Sequence, residues 1–222
     1  MLHFLENHDE QRIASPDFVG SAEKGRPGMV VSTLIGRSPT MIYFAQEVGE
    51  PGDGDAGFGD PTRTTIFDYW GVPAHQRWMN GGRFDGGALS EPEKDLRDFY
   101  RRLLTLSVDS SAIRGQYVEI HSHNRQLDTG YNGRLFSFVR WSPTEQLIVV
   151  SNFDDATSAG LTVEVPTKVI ASWQLADGRY ALDDQLHDVN RSALVVDGGL
   201  GKFHLQLDAL ESVVFRVGDE LD

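Results

Sequence analysis

Apolar residues change their spacing once along the chain. Up to Ser107 they come in short continuous runs or at helical spacing. Beyond Gly115 short runs rich in Val, Leu and Phe alternate with turn clusters. In the first part, Leu2 to Leu5 is an apolar run that ends in a polar cluster, Asn7, His8 and Asp9. It reads as a strand, and Glu10 to Arg26, broken by Pro16, Gly20 and Gly25, as a loop. "GMVVSTLI", Gly28 to Ile35, has helical length and is stopped by Gly36 and Pro39. Met41 to Phe44 is continuously apolar, as a strand covered on both faces must be. Strand, loop, helix and strand predict a right-handed crossover with parallel pairing.

"ALSEPEKDLRDFYRRLLTLS" is the clearest helix. Ser90 and Glu93 form a capping-box pattern, and Pro92 lies in the first turn. Leu96, Phe99, Tyr100, Leu103 and Leu104 recur at helical spacing, and the helix should end near Ser107. From there the runs "YVEI", "LFSFVRW", "QLIVVSNF", "LTVEV", "ASWQL", "ALVV", "FHLQL" and "SVVFRV" predict strands of an all-β antiparallel sandwich. The boundary falls near Asp109 to Arg114, which divides the chain into residues 1–108 and 109–222.

Composition narrows the function classes. A hydrophobic fraction of 40% and a charged fraction of 24% describe a folded globular chain. A net charge of -13 disfavours nucleic acid and anionic membranes as partners, and a neutral substrate fits best. The absence of cysteine excludes disulfides and thiolate chemistry. No apolar run approaches the roughly 20 residues of a membrane span. No basic segment followed by an apolar stretch opens the sequence, so no signal peptide is visible, and the compartment stays open.

The opening "FLENHDEQR" carries the first candidate chemistry. A strand that delivers an imidazole and a carboxylate at its C-terminal end is how barrel enzymes present catalytic groups. The same letters also fit an Asx-type turn, in which Asn7 or Asp9 accepts hydrogen bonds from its own backbone. The residues alone leave both readings open.

"FLENHD" resembles the seventh-strand motif of the α-amylase family of glycoside hydrolases, whose catalytic domain is a (β/α)8 barrel. "MIYFAQEVGE" is similar to that family's eighth strand, with Glu47 as a structural carboxylate. The loop into "TTIFDYW", the helix "LRDFYRRLLTL" and the closing strands follow in the family's order. The resemblance implies an α/β remnant of a (β/α)8 barrel, its last two strands and helices, followed by the all-β C-terminal domain. It implies a parent enzyme that acts on α-glucans by a retaining mechanism. Its nucleophile and general acid come from barrel strands four and five, which this chain lacks. Asp9 would be the third carboxylate, holding hydroxyls of the sugar undergoing cleavage, with His8 beside it and Asn7 orienting the loop. The isolated chain is then expected to be inactive and to need no cofactor. Two orphaned strands should self-associate through residues 1 to 48, and hydrolysis and glycosyl transfer are not distinguished. The rival reading is a non-catalytic β-sandwich module that binds glucan or a protein.

Other clusters admit blander roles. "GGRFDGG" mimics a Gly-x-Arg-x-Asp arrangement through Gly81, Arg83 and Asp85, but no apolar strand precedes it, so it reads as a flexible loop. Gly49 to Asp60 is a glycine-rich acidic loop; Asp53, Asp55 and Asp60 lack the regular spacing of a calcium loop, and Glu47 and Glu50 do not complete one. His121 and His123 alternate with serine and read as a half-exposed strand rather than a zinc site. Trp141 and Trp173 read as core residues in strands, and Trp70 as a candidate for sugar contact.

Overall fold

A computed structural model of the 222-residue chain describes residues 1–53, 64, 72–187 and 189–221. The chain folds as two compact units. One comprises Met1–Thr33 and Ser38–Leu104, the other Leu34–Arg37 and Thr105–Asp222. Among the described residues no helix is long and apolar enough to cross a membrane.

The first unit is helical. Helix α1 spans Arg26–Leu34, where Met29 and Val30 are fully buried. Helix α2 spans Pro73–Met79 and begins on proline, whose missing N–H costs nothing there. Glu50 completes that helix start from a distance: its fully buried carboxylate accepts the N–H of Ala74 at 2.9 Å and that of Gly52 at 2.9 Å. Helix α3 runs Glu91–Asp109, two residues past the expected end. At its start the Glu93 carboxylate accepts both the N–H and the hydroxyl of Ser90, at 2.7 and 2.8 Å. Leu96, Phe99, Tyr100 and Leu103 form the buried stripe, while Leu104 is half-buried.

Two expected strands of this unit do not form. Leu2 to Leu5 and Met41 to Phe44 are reduced to one parallel bridge, His3 to Thr40. The His3 N–H donates to Pro39 O at 3.0 Å and Met41 N–H to His3 O at 2.8 Å. The pairing is parallel as predicted, but a parallel ladder is stable only inside a sheet covered on both faces. Here Met41, Ile42 and Phe44 are only partly buried. At Ala45 the backbone turns left-handed (φ 63°) into a short 3-10 turn, Gln46–Val48, which ends the extended run.

The second unit is an eight-stranded, wholly antiparallel sheet. Its strands are β1 (Gln116–Glu119), β2 (Leu135–Ser142), β3 (Glu145–Asn152), β4 (Ala159–Val165), β5 (Gly178–Asp184), β6 (Val189–Asp197), β7 (Leu200–Leu207) and β8 (Ser212–Glu220). Hydrogen bonding is continuous in the order β1-β2-β3-β8-β5-β6-β7-β4. One hydrophobic core gathers residues from nearly the whole sheet, including Val139, Ile148, Leu161, Leu182, Leu194, Phe203 and Phe215. The sheet therefore curls, and Asn124 clasps the curl. Its amide donates to Ile120 O and Glu164 O, both at 2.9 Å, and its Oδ1 accepts the Glu164 N–H at 2.7 Å. Ile120 follows β1 and Glu164 belongs to β4, so the two ends of the strand order meet across one fully buried side chain.

The sheet departs from the sequence reading at three places. "ASWQL" is not a strand: its first three residues end helix α5, Thr167–Trp173, and Gln174 caps it. Val169, Ile170 and Trp173 are buried at helical spacing, and Pro166 immediately precedes the first turn. His121 and His123 lie in a one-turn helix, α4 (His121–Asn124), because Asn124 must reach back to Ile120. Strand β5, by contrast, has no counterpart among the expected strands. Its buried positions Tyr180, Leu182 and Asp184 alternate correctly, but the third is a carboxylate. Asp184 satisfies its charge with the N–H of Leu186 at 3.0 Å and the ring of His187 at 2.6 Å.

Candidate functional site

The Asn7-His8-Asp9 cluster sits on a turn that its own side chains build. Asn7 Oδ1 accepts the N–H of Asp9 at 2.7 Å and that of Glu10 at 2.9 Å. This is the Asx turn that the sequence allowed, and it does not compete with a presenting role. With its backbone donors satisfied by Asn7, the turn projects the next two side chains outward. The His8 and Asp9 side chains are 53% and 74% exposed, with Nε2 and Oδ2 3.5 Å apart. A carboxylate beside an imidazole on an exposed turn can accept hydrogen bonds from hydroxyls and pair with a polar ring.

The turn is braced by a buried ion pair. Glu6, just before it, and Arg12, just after it, are 2% and 0% exposed. Arg12 Nη1 donates to Glu6 Oε2 at 2.8 Å, and the other oxygen of Glu6 accepts the N–H of Ile13 at 2.8 Å. The remaining guanidinium donors go to Thr64 Oγ1 at 2.9 and 2.5 Å and to the carbonyl of Phe44 at 2.9 Å. The guanidinium carbon also stands 4.2 Å from the centre of the Tyr43 ring. Burial pushes the Glu6 carboxyl above its ordinary range, and Arg12 pulls it back part of the way. Both ends of the turn are thus fixed to one buried network, which holds His8 and Asp9 at a set place.

Segment 43–50 supports that network. Tyr43 donates its hydroxyl to Thr64 O at 2.8 Å. Gln46 accepts the N–H of Tyr43 at 3.1 Å and donates to the hydroxyl of Tyr100 at 2.9 Å. Glu47 is half-buried and lines an open cavity of about 530 Å³ with Ile42, Phe44, Arg97, Tyr100 and Leu104.

The remaining clusters take local roles. Asp85 is exposed and closes a local turn, accepting from Asn80 Nδ2 at 2.6 Å and the Gly87 N–H at 2.9 Å. Those bonds, Asn80 first, hold its carboxyl below the usual range. His123 Nε2 lies 3.0 Å from Glu164 Oε2, and His121 Nδ1 lies 3.1 Å from the Tyr131 hydroxyl. Among the described residues no three His, Asp or Glu side chains converge as a metal site would need. Asp53 is exposed, whereas Asp55, Asp60 and Trp70 lie outside the described residues. Trp141 is half-buried in β2, and Trp173 is buried in α5 rather than in a strand.

The residues that sequence reasoning missed are Glu6, Arg12 and Thr64. Opposite charges six positions apart around a polar turn were the available signal, but charged residues are so seldom fully buried that both read as surface.

No protein-family model matches the chain, and no curated protein matches it by sequence. Solved structures match it over its whole length. An α-amylase from Anoxybacillus superposes with a TM-score of 0.60 at 16% identity, covering 100% of this chain and 38% of that one. A maltogenic α-amylase from Thermotoga neapolitana gives 0.61 at 13% identity, covering 98% and 41%. The α-amylase of Geobacillus thermoleovorans, solved with acarbose, gives 0.60 at 15% identity, covering 100% and 39%. At such identities the likeness establishes the fold, and the chain spans about two fifths of the length of the structures it matches.

Proposed function

We propose that this chain is the C-terminal part of an α-amylase-like glycoside hydrolase, comprising the end of a (β/α)8 barrel (residues 1–108) and a C-terminal β-sandwich domain (residues 109–222). The parent enzyme acts on α-glucans, and Asp9, His8 and Asn7 belong to its sugar site. One observation carries this reading: a chain whose fold matches about two fifths of several α-amylases presents His8 and Asp9 together, exposed, on a turn braced by a buried ion pair.

The chemistry follows from what the turn can and cannot do. Retaining glycosidases need a nucleophilic carboxylate and a general acid about 5 to 5.5 Å apart. Glu6 is committed to Arg12 and Ile13, and Glu50 to Gly52 and Ala74, so neither is available to act on a sugar. In this reading Asp9, exposed on its turn, holds sugar hydroxyls and His8 flanks the ring. Such contacts speed cleavage when they tighten as the ring flattens toward the oxocarbenium-like transition state.

Two measurements test the reading. The isolated chain should release no reducing sugar from soluble starch above a blank; release abolished by Asp9→Asn would overturn the assignment. In the intact parent, Asp9→Asn should lower kcat far more than it raises KM. A raised KM with kcat unchanged would make Asp9 a ground-state binding group only.

A further inference from the structure

The β-rich unit holds a cavity of about 520 Å³ that the turn at Asp9 does not explain. It lies between the start of β1, the β2–β3 hairpin and the end of α5. In a chain of net charge -13, none of its nine lining residues is ionisable. Two are tryptophans and three are glutamines.

Their arrangement comes from strand register. Gln116 of β1 pairs with Trp141 of β2, and Trp141 pairs with Gln146 of β3. Directly opposed residues of antiparallel strands share a face. An indole therefore lies in a row between two amides across three neighbouring strands. Trp173 closes the cavity from α5, its ring 6.4 Å from that of Trp141 and at 72° to it. Gln174 follows in a left-handed helix cap (φ 58°), and Ser142 stands at the hairpin. The indole N–H of Trp173 is buried and has no hydrogen-bond partner among the described residues.

We propose that this cavity is a binding site for a neutral oligosaccharide, distinct from the turn that carries Asp9. A pyranose has an apolar C–H face and a rim of hydroxyls, each of which both donates and accepts. An aromatic face meets the first, and primary amides, which also donate and accept, meet the second. The absence of charge leaves a neutral ligand with no unpaired ion to desolvate. The volume lies within the range of small-molecule sites, about 300 to 1,000 Å³. Nothing in this inference requires the barrel-derived part of the chain to be catalytic.

The test is titration of the 222-residue chain with maltoheptaose and, separately, cellohexaose, followed by tryptophan fluorescence. A saturable change is expected with at least one of them. A Gln116→Ala/Gln146→Ala variant should bind about tenfold more weakly, as the loss of two hydrogen-bonding amides implies, with its thermal midpoint unchanged. Should the double variant melt early, Gln116→Ala alone carries the comparison, since Gln116 is exposed. No saturation with either sugar overturns the proposal, and so does unaltered affinity in a folded variant. Binding of cellohexaose alone supports the cavity while counting against the α-glucan reading of the parent.

Discussion

The two units spend their buried volume differently. In the β-rich unit one apolar core is shared by almost every strand, and buried polar groups such as Asn124 and Asp184 are hydrogen-bonded to backbone groups of its strands and loops. In the helical unit Ala45, Val48, Val72, Ala74 and Leu89 form one apolar cluster, and Met29, Val30, Leu96, Phe99 and Leu103 are buried as well. Beside it lies a buried polar network of Glu6, Arg12, Gln46, Glu50, Thr64 and Tyr100. Phe4 and Phe18 are left 41% and 56% exposed. An apolar core stabilises a fold by itself, whereas a buried ion pair roughly breaks even and serves to specify geometry. Both units bury apolar residues, and the helical unit adds a buried ion pair that fixes the turn at Asn7 to Asp9.

If that contrast is right, the largest difference should appear in association. Residues 1 to 48 present exposed Met1, Leu2, Phe4 and Phe18 and a single-bridge parallel pairing. Exposed apolar surface of that kind recruits a second chain. Light scattering after size exclusion should give a multiple of the 24.7 kDa chain mass. A monomer that binds no hydrophobic dye would break the comparison at its root.

Next in size is the ion pair. Arg12→Met leaves the Glu6 carboxylate buried without its partner and should destabilise the helical unit by about 3 to 5 kcal/mol. Glu6→Gln combined with Arg12→Met should recover a large part of that loss. Urea unfolding read by hydrogen exchange separates the units: amides of β2, β3 and β8 should keep their protection in the single variant. Equal loss of protection throughout would show that the two units do not differ as argued.

These residues also show where sequence reading succeeds and where it stops. Helix α3 was legible because its cap and its apolar spacing are both local. Strands β2, β3 and β8 were legible because their runs are long and rich in β-branched or aromatic residues. "ASWQL" misled because a short apolar run does not reveal its period, and only Val169 and Ile170 upstream show it to be helical. Strand β5 escaped because its third inward residue is Asp184, whose burial depends on His187 and on backbone donors. At the site, the letters of Asn7, His8 and Asp9 allow both a turn and a presenting strand, and the turn is what forms. The brace does not read out, since Glu6, Arg12 and Thr64 converge only through the fold, Thr64 from 52 residues away.

The clasp offers a smaller test inside the β-rich unit. Asn124→Ala removes three hydrogen bonds and leaves the Glu164 N–H and two carbonyls without that partner. A cost of about 1 to 3 kcal/mol is expected, set mainly by any group left unsatisfied. Asn124→Asp should be nearly as harmful, because a carboxylate can accept from Glu164 but cannot donate to either carbonyl. Thermal unfolding followed by far-UV circular dichroism measures both. If Asn124→Asp melts as the parent does, the carbonyl contacts do not hold the curl.

The smallest expected effect is the dependence on pH at Glu145. Burial works against its charge, but the N–H of Ala112, the hydroxyl of Ser110, Arg216 and the hydroxyl of Ser111 together hold the carboxyl below its ordinary 4.5. The bonds are 3.0, 2.8 and 3.1 Å to Ala112, Ser110 and Ser111, and 2.9 Å to Arg216 Nη2. A carboxyl whose folded value is depressed binds protons more weakly folded than unfolded. The stability it contributes is complete above the ordinary carboxylate range and is lost as pH falls through the folded-state value. Because Arg216 is partly exposed, the contribution should be about 1 kcal/mol or less. Glu145→Gln should therefore lower Tm slightly at pH 7, and the gap from the unmodified chain should close as pH falls toward 3. Comparing the two chains cancels every other carboxylate that titrates in that window. A gap that stays constant with pH would assign the loss to shape rather than charge. A gap that widens on acidification would reverse the sign of the argument and place the Glu145 carboxyl above its ordinary value.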